Sequence, residues 1–238
     1  MKLKRGWRFL IVLFLCLLTT NVIEISGMNT GFSTEAMPEE KQTAFVSNIS
    51  MLRLTQEPAK KGIQCFDVNE HGMIAVVQES TRGKDVCVYN TQGEFMYGYS
   101  FDCGQSIGVE WDYEHINVYF VRSDVIVAID SDGNIVAVNK VHDTIDNNAH
   151  KNDLLYATSR IVDDTTYLIR NDMGVLNWIA PSFSQVVVMD GSGTENIIYD
   201  VNSAQLVQMI VIVCVVFAMV AYAVVCIIWS ADKGKRTV

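Results

Sequence analysis

Two long apolar segments bracket a patterned, more polar middle region of the chain. They cover residues 9–23 and 206–229. The second segment has Gln208 as its only strongly polar residue. At about 1.5 Å rise per residue it is long enough to cross a hydrocarbon layer of about 30 Å. We therefore predict a transmembrane helix over residues 204–230, and a signal anchor or transmembrane segment over residues 1–28.

Short basic flanks accompany both apolar segments. Such flanks stay on the cytoplasmic side of a membrane, so we expect both termini, including the tail 231–238, in the cytoplasm and the central domain outside. The first segment is short enough for a cleaved signal peptide, but no small-x-small cleavage site follows it promptly, which favours an uncleaved anchor. The basic flanking residues are Lys2, Lys4, Arg5, Arg8, Lys233, Lys235 and Arg236.

Between the two segments, short runs of β-branched and aromatic residues alternate with Gly, Asn and Asp. Twelve runs of four to eight residues lie between positions 63 and 201. This length and composition are typical of β-strands. The sequence therefore predicts an all-β domain flanked by N- and C-terminal transmembrane helices.

An Asn/Asp-x-x-Gly pattern recurs between these runs. The first side chain of this pattern hydrogen-bonds its own backbone, and the Gly takes the positive-φ position that closes a hairpin. The pattern therefore predicts structural turns rather than a catalytic or binding site. The predicted turn residues are Asn69, Gly72, Asn90, Gly93, Asp130, Gly133, Asn171, Gly174, Asp190 and Gly193.

The spacing of these turns indicates a repeat. Their first residues are 21, 40, 41 and 19 positions apart, and a unit of about forty residues and four strands is typical of a propeller blade. We predict a β domain at 63–203 built as a propeller-like stack of about three four-stranded antiparallel blades, at 63–101, 106–140 and 154–201. Three blades do not close a ring, so open strand edges would need a second copy or another protein to cover them. A β-sandwich with regular hairpins is the alternative.

Two stretches interrupt the strand pattern. Residues 29–62 are polar and predict a stalk, in which the spacing of Phe45, Ile49 and Leu52 allows one short amphipathic helix. Residues 141–153 predict a solvated loop.

The middle region is strongly acidic. Residues 24–204 contain eleven Lys and Arg against twenty-six Asp and Glu, a balance of −15. A domain with this charge is repelled by phosphate backbones, which argues against nucleic acid as a partner.

Cysteine and histidine are too scattered to predict a metal site. Cys65, Cys87 and Cys103 are an odd number, so at least one thiol is free or pairs between chains. No histidine lies at ligand spacing from another histidine or a cysteine, and we expect no metal and no cofactor. Residues 130–134 are similar to the start of a calcium loop, but later positions lack the Gly and Glu of an EF-hand.

One short string matches a catalytic motif. Residues 104–108 read Gly-Gln-Ser-Ile-Gly, the pattern of a nucleophile elbow around Ser106, and His142 and His150 lie downstream. An elbow needs a strand before the serine and a helix after it, whereas another strand is predicted here. A connector between blades is the favoured interpretation, and a surface hydrolase that uses Ser106 stays an alternative.

The stretch 63–140, with its turns at 90–93 and 130–133, resembles membrane-anchored proteins of Gram-positive bacteria with a propeller-like, blade-repeat extracytoplasmic domain. That group is itself uncharacterised. The resemblance implies an architecture and no activity.

These patterns favour a membrane-anchored extracytoplasmic binding or interaction module, non-enzymatic, that serves as an accessory subunit of an envelope complex. The expected partners are the membrane and either a second copy of the chain or another membrane protein. A ligand sensor that signals through a membrane partner is the second hypothesis, and the hydrolase is the third.

Overall fold

The computed structural model describes residues 28–235. Apart from Met28, the predicted N-terminal anchor therefore lies outside the described residues. Within them the protein is mostly β, with one long apolar helix near the C-terminus, which confirms the coarse prediction of a β domain followed by an apolar helix.

Fourteen strands and three α-helices make up the described part of the chain. The strands are β1 (Thr34–Ala36), β2 (Leu52–Leu54), β3 (Ile63–Val68), β4 (Ile74–Glu79), β5 (Lys84–Tyr89), β6 (Phe95–Phe101), β7 (Ile107–Asp112), β8 (His115–Phe120), β9 (Val125–Ile129), β10 (Ile135–Val141), β11 (Ser159–Val162), β12 (Thr165–Arg170), β13 (Gln185–Met189) and β14 (Glu195–Asp200). The helices are α1 (Glu39–Ile49), α2 (Ile145–Tyr156), α3 (Asn202–Lys235) and a 3₁₀ helix (Gly174–Ile179).

The strands form three antiparallel sheets, none of them closed. Sheet I has the order β2-β6-β5-β4-β3, sheet II the order β1-β10-β9-β8-β7, and sheet III the order β11-β12-β13-β14. Each contains a meander of four consecutive strands, and each meander matches one of the three predicted units, except that β10 ends one residue past the second unit. The sheets remain separate and do not form a ring.

Sheet I lies between the other two because both of its faces are apolar. Cys65, Val77 and Val88 belong to a buried cluster shared with sheet II. Their neighbours Phe66 and Cys87 belong to a second cluster shared with sheet III. A strand with apolar residues on both faces must be covered on both sides. Each such side chain contributes about 1.5–3 kcal/mol when it is fully buried.

Residues 29–62, predicted as a stalk, are folded against the sheets. β1 pairs with β10 and β2 pairs with β6, so each adds an edge strand. In α1, Ile49 is buried, and the Phe45 ring lies 5.2 Å from that of Phe120. The stalk prediction was wrong because strands of three residues are too short to show an alternating pattern, and because edge elements keep a polar outer face.

The stretch 141–153, predicted as a solvated loop, contains most of helix α2. Thr144 caps the helix, since its side-chain oxygen accepts a hydrogen bond from the Asn147 amide at 3.1 Å. Leu154 of α2 is buried with Phe32 and Tyr119 on the outer face of sheet II. The helix has only a narrow apolar stripe, which is why the sequence pattern missed it.

Helix α3 follows β14 directly. β14 ends at Asp200 and α3 begins at Asn202, two residues before the predicted start. Val201, Gln205 and Met209 are buried. Because they are four residues apart, they lie on the same face at the start of the helix. From Ile210 onward almost every described side chain is exposed. By length and composition α3 could cross a membrane.

Candidate functional site

The sheet connections lie at two opposite ends of the domain. The turn end carries the hairpins at 69–72, 90–93, 113–114, 130–133, 163–164 and 190–193. The helix end, from which α3 leaves, carries the connections at 57–62, 80–83, 102–106, 121–124 and 171–184. A backbone bridge between Ile63 and Phe183 joins sheets I and III at the helix end. Because strands in a meander alternate in direction, each end collects every second connection.

Four predicted turns share one hydrogen-bond pattern. In each, the side-chain Oδ1 of the first residue accepts backbone N–H bonds from positions two and four residues later, at 2.7–3.0 Å. Each fourth residue is a Gly with φ between 74° and 89°. The four pairs are Asn69 with Gly72, Asn90 with Gly93, Asp130 with Gly133, and Asp190 with Gly193. For Asp130 and Asp190, hydrogen bonds to the carboxylate hold the pKa below its ordinary value.

The fifth predicted turn does not form. Gly174 begins the 3₁₀ helix in the long β12–β13 connection, and Asn171 accepts a bond through its backbone oxygen, from Asn177 at 3.2 Å. The matching turn of sheet III is the one at Asp190, which joins its third and fourth strands as Asn90 and Asp130 do in sheets I and II. The spacing of 41 residues between Asp130 and Asn171 therefore does not reflect a repeated turn.

The two ends differ in charge. The connections at the turn end, together with the first or last residue of each adjoining strand, carry ten acidic residues and no Lys or Arg. The Arg53 side chain reaches this end from β2 and donates to the Ser131 carbonyl at 2.9 Å. The connections at the helix end, with residues 79 and 84 included, carry five Lys or Arg and five Asp or Glu. The acidic residues of the turn end are Glu70, Glu94, Asp112, Glu114, Asp130, Asp132, Asp163, Asp164, Asp190 and Glu195.

A cleft of about 580 Å³ lies at the helix end, between the domain and the first turns of α3. Lys60, Lys61 and Glu79 line it from sheet I, and Gln205 and Gln208 line it from α3. We call this space the juxtahelical cleft. The sequence pattern could not reveal it, because its walls come from segments more than a hundred residues apart.

Hydrogen bonds order the domain wall of the cleft. Tyr199 of β14 donates to the Lys61 carbonyl at 2.6 Å, and the Lys61 amide donates to the Gln78 side chain at 2.9 Å. The Lys60 ammonium lies 5.0 Å from the Tyr199 ring centre, a geometry that favours a cation. Burial raises the pKa of Tyr199, so this hydroxyl stays protonated.

Glu79 forms an ion pair at the rim of the cleft. Its carboxylate contacts the Lys84 ammonium and accepts a bond from Gln64 at 2.6 Å. Partial burial opposes the charged form, but the hydrogen bond and charge of Lys84 outweigh it and hold the pKa of Glu79 below its ordinary value. Glu79 is therefore charged at neutral pH.

Gln205 is the least satisfied polar group in the cleft wall. Its side chain is 6% exposed, and its amide nitrogen donates to the Ser182 carbonyl at 2.9 Å. Its buried Oε1 has no hydrogen-bond partner. A buried acceptor without a partner is unfavourable, so the burial of this side chain is only partly compensated by its hydrogen bond to Ser182.

A polar cluster lies where helix α2 meets the first strands of the sheets. His150 of α2 contacts the Glu110 carboxylate at 2.7 Å, and Arg160 of β11 contacts Asp67 of β3 at 2.8 Å. The hydrogen bond that the His150 imidazole donates to the Glu110 carboxylate outweighs burial and raises the pKa of His150. No Ser, Thr or Cys of the described chain hydrogen-bonds this imidazole, so the cluster does not form a nucleophilic triad.

Ser106 does not lie in an elbow. It is exposed in the β6–β7 connection, and β7 begins at the next residue. The Ser106 carbonyl accepts a bond from the Val121 amide at 3.1 Å, and no described imidazole hydrogen-bonds its hydroxyl. The motif therefore serves as a connector in the described structure.

The three cysteines of the domain are free thiols. Cys65 and Cys87 are buried on opposite faces of sheet I, and Cys103 is partly exposed near the helix end. Burial raises the pKa of Cys65 and of Cys87 to about 12. Within residues 28–235, no group of three or more His, Cys, Asp or Glu residues could hold a metal ion.

Comparison with known proteins does not identify a group for this chain. No protein-family model matches it, and no curated protein is significantly similar to it.

Proposed function

We propose that this chain is a membrane-anchored, extracytoplasmic interaction module that serves as an accessory subunit of an envelope complex. The observation that carries the proposal is the position of the turn end. Its ordered, acidic hairpins lie at the end of the domain opposite α3, which joins the last strand with one intervening residue. A partner would bind there, away from the membrane.

The proposed orientation has α3 across the membrane and the domain outside, with both termini in the cytoplasm. The basic residues after the apolar segment support it, because they favour the cytoplasmic side. Since Val201, Gln205 and Met209 are buried at the junction, the domain would keep a fixed posture on the helix, and the turn end would point away from the bilayer.

We interpret the three meanders as a propeller-like stack that stays open. Helix α2 and residues near Phe32 cover the outer face of sheet II. The outer face of sheet III is crossed by an ion pair between Arg170 and Glu195 at 2.9 Å. Covering this face with a second copy would remove the charged pair from water, which is unfavourable. We therefore favour another membrane protein over self-association as the partner.

The test is site-specific photocrosslinking in native membranes. Tyr113 lies in a turn-end hairpin and is 69% exposed, whereas Tyr156 ends α2 and is 73% exposed. Replacing each in turn by p-benzoylphenylalanine in the full-length chain gives two probes of similar size and exposure at different places. We expect one recurrent membrane protein to crosslink at position 113 and not at position 156, identified by mass spectrometry.

Other crosslinking outcomes would contradict the proposal. Equal capture at both positions would mean that the turn end has no special role. Capture of the same chain alone at position 113 would replace the accessory subunit with a self-associating module.

A ligand sensor is the second candidate, and the juxtahelical cleft is the observation that favours it. A small polar molecule there would contact both the domain, at Lys61, and α3, at Gln205 and Gln208. A small-molecule thermal-shift screen of the full-length protein tests this function. A cleft ligand should raise the melting temperature of the wild type and of Gln92→Met at the turn end, but not that of Gln205→Met.

A further inference from the structure

The β12–β13 connection presents an apolar surface next to the base of α3. Its 3₁₀ helix exposes Val175 by 82% and Trp178 by 84%, and Ile179 is also exposed. Large apolar side chains grouped in this way mark a contact surface. Between positions 171 and 184, Asp172 is the only ionisable residue. We call residues 171–184 the base loop.

Both ends of the base loop are attached to the start of α3. Near its beginning, the Asp172 carbonyl accepts a bond from the Asn202 side chain at 2.8 Å. Near its end, the Ser182 carbonyl accepts a bond from the Gln205 side chain at 2.9 Å. β12 and β14 flank β13 and finish at the same end of sheet III, where Arg170 and Asp200 both pair with Gln185. The base loop therefore extends from the same end of sheet III as α3.

The exposure pattern of α3 indicates how deep this loop lies. Among the described side chains of the helix, Met209 is the last buried one; Val207 is the first exposed large apolar residue, and from Ile210 onward the surface is almost continuously exposed and apolar. Ser182 is held at the level of Gln205, which is about 6 Å before Met209 along the axis. The headgroup layer of one leaflet is about 5–8 Å thick. With α3 in the bilayer, the base loop lies at the depth of the headgroups.

The composition of the surroundings fits this depth. Trp is enriched at the boundary between membrane and water, because its ring is apolar and its N–H can bond to headgroups or water. Lys60 and Lys61 lie beside Ser182 in the wall of the juxtahelical cleft, where an ammonium can meet lipid phosphate. The acidic residues of the turn end lie at the far end of the domain.

We infer that the base loop inserts Val175, Trp178 and Ile179 into the headgroup layer of the outer leaflet, as a second attachment of the domain to the membrane. The occupant of this apolar surface is the lipid bilayer. The inference requires α3 to span the membrane, and it does not require the proposed partner at the turn end. The two can therefore fail separately.

The test uses the full-length chain with 5-fluorotryptophan in nanodiscs of phosphatidylethanolamine and phosphatidylglycerol. The chain has four Trp residues, and the spectrum of Trp178→Phe identifies the resonance of position 178. Lipids with a nitroxide near the headgroup should abolish that resonance and leave that of Trp111, on β7, unchanged. A soluble gadolinium chelate should have little effect on Trp178.

The reverse pattern would overturn the inference. If the chelate broadens Trp178 and the lipid nitroxide does not, the loop lies in water. If neither reagent reaches it, a protein surface covers the loop instead of lipid.

Hydrogen exchange with a matched pair of variants gives a second readout. Trp178→Ser should increase exchange of residues 171–184 in nanodiscs to the level seen in detergent. Ile161→Ser removes a side chain that is 74% exposed on β11, and it should leave exchange in the base loop unchanged. Equal protection of the loop in wild type and Trp178→Ser would contradict membrane insertion.

Discussion

Four glycines at the turn end have backbone conformations that residues with a Cβ rarely adopt. Two of them allow the cost of that conformation to be separated from the cost of contact. Gly93 has φ 78° and Gly193 has φ 83°. A Cβ at Gly93 would collide with the Ile198 carbonyl of β14, whereas a Cβ at Gly193 would meet nothing within 4 Å.

We expect Gly193→Ala to lower the free energy of unfolding by about 1–2 kcal/mol, the cost of a left-handed conformation. Gly93→Ala should lose about 1–3 kcal/mol more, because sheet III must shift away from the turn. Chemical denaturation monitored by circular dichroism measures both. Equal losses in the two variants would mean that the contact between this turn and β14 is absent in solution.

The free thiols should differ in reactivity according to burial. The thiolate is the reactive form, and the pKa of about 12 for Cys65 and Cys87 leaves almost none at neutral pH. Cys103 is the only domain cysteine in the described chain with partial exposure. Under native conditions in nanodiscs we expect a maleimide to modify Cys103 and to spare the other two until the domain unfolds. Peptide mass spectrometry reads this out, and early labelling of Cys65 would contradict the packing of sheets I and II.

At the scale of elements, α2 is held partly by a titratable contact. His150 faces Glu110 of β7, with Asp153 and Arg160 also close enough to act on it. The Glu110 hydrogen bond stabilises the protonated imidazole, so the pKa of His150 is higher in the folded state than in the unfolded chain. This stabilisation is complete below the ordinary pKa of 6.5 and is lost as pH rises through the higher folded pKa.

The melting temperature of the wild type should therefore fall between about pH 6 and pH 8 more steeply than that of His150→Gln. His71→Gln is the control, because His71 is an exposed turn residue 3.7 Å from Glu70. It should keep the wild-type slope. If His150→Gln also keeps that slope, the contact with Glu110 does not stabilise α2.

On the scale of the whole molecule, charge and attachment follow the same axis. The acidic turn end lies opposite α3, while the helix end is nearly neutral. A bilayer with anionic lipids repels carboxylates, so with α3 across the membrane, as proposed, both the charge and the junction would favour an upright domain.

An insertion at the junction tests this posture. Four residues, Gly-Ser-Gly-Ser, between Val201 and Asn202 should separate the domain from α3 and undock Gln205 and Met209. We expect the distance from a spin label at position 113 to nitroxide lipids to become broadly distributed in nanodiscs. The same insertion between Ser230 and Ala231, beyond the apolar segment, should leave the distribution narrow. A narrow distribution in both variants would contradict a posture set by the junction.

The sequence pattern predicted the three meanders, because the strands and turns of a meander are determined by residues close together in the sequence. Alternation and the turns at Asn69, Asn90, Asp130 and Asp190 need only residues a few positions apart. The missed features depend on tertiary contacts: β1 and β2 are edge strands of three residues each, and α2 is stabilised by one capping residue and a few buried side chains. The juxtahelical cleft joins Lys61 to Gln205, and no single-sequence pattern records that proximity.

With α3 across a bilayer, as proposed, the single residue between β14 and α3 would make the domain tilt together with the helix. Transmembrane helices tilt by about 20° on average, and the tilt responds to bilayer thickness. A strand of seven residues, such as β6, extends about 23 Å. A rigidly attached domain of that height would swing its far end sideways by about 8 Å at such a tilt. Lipid composition would thus change the position of the acidic turn end above the membrane, and insertion of the base loop into the headgroups would limit that movement.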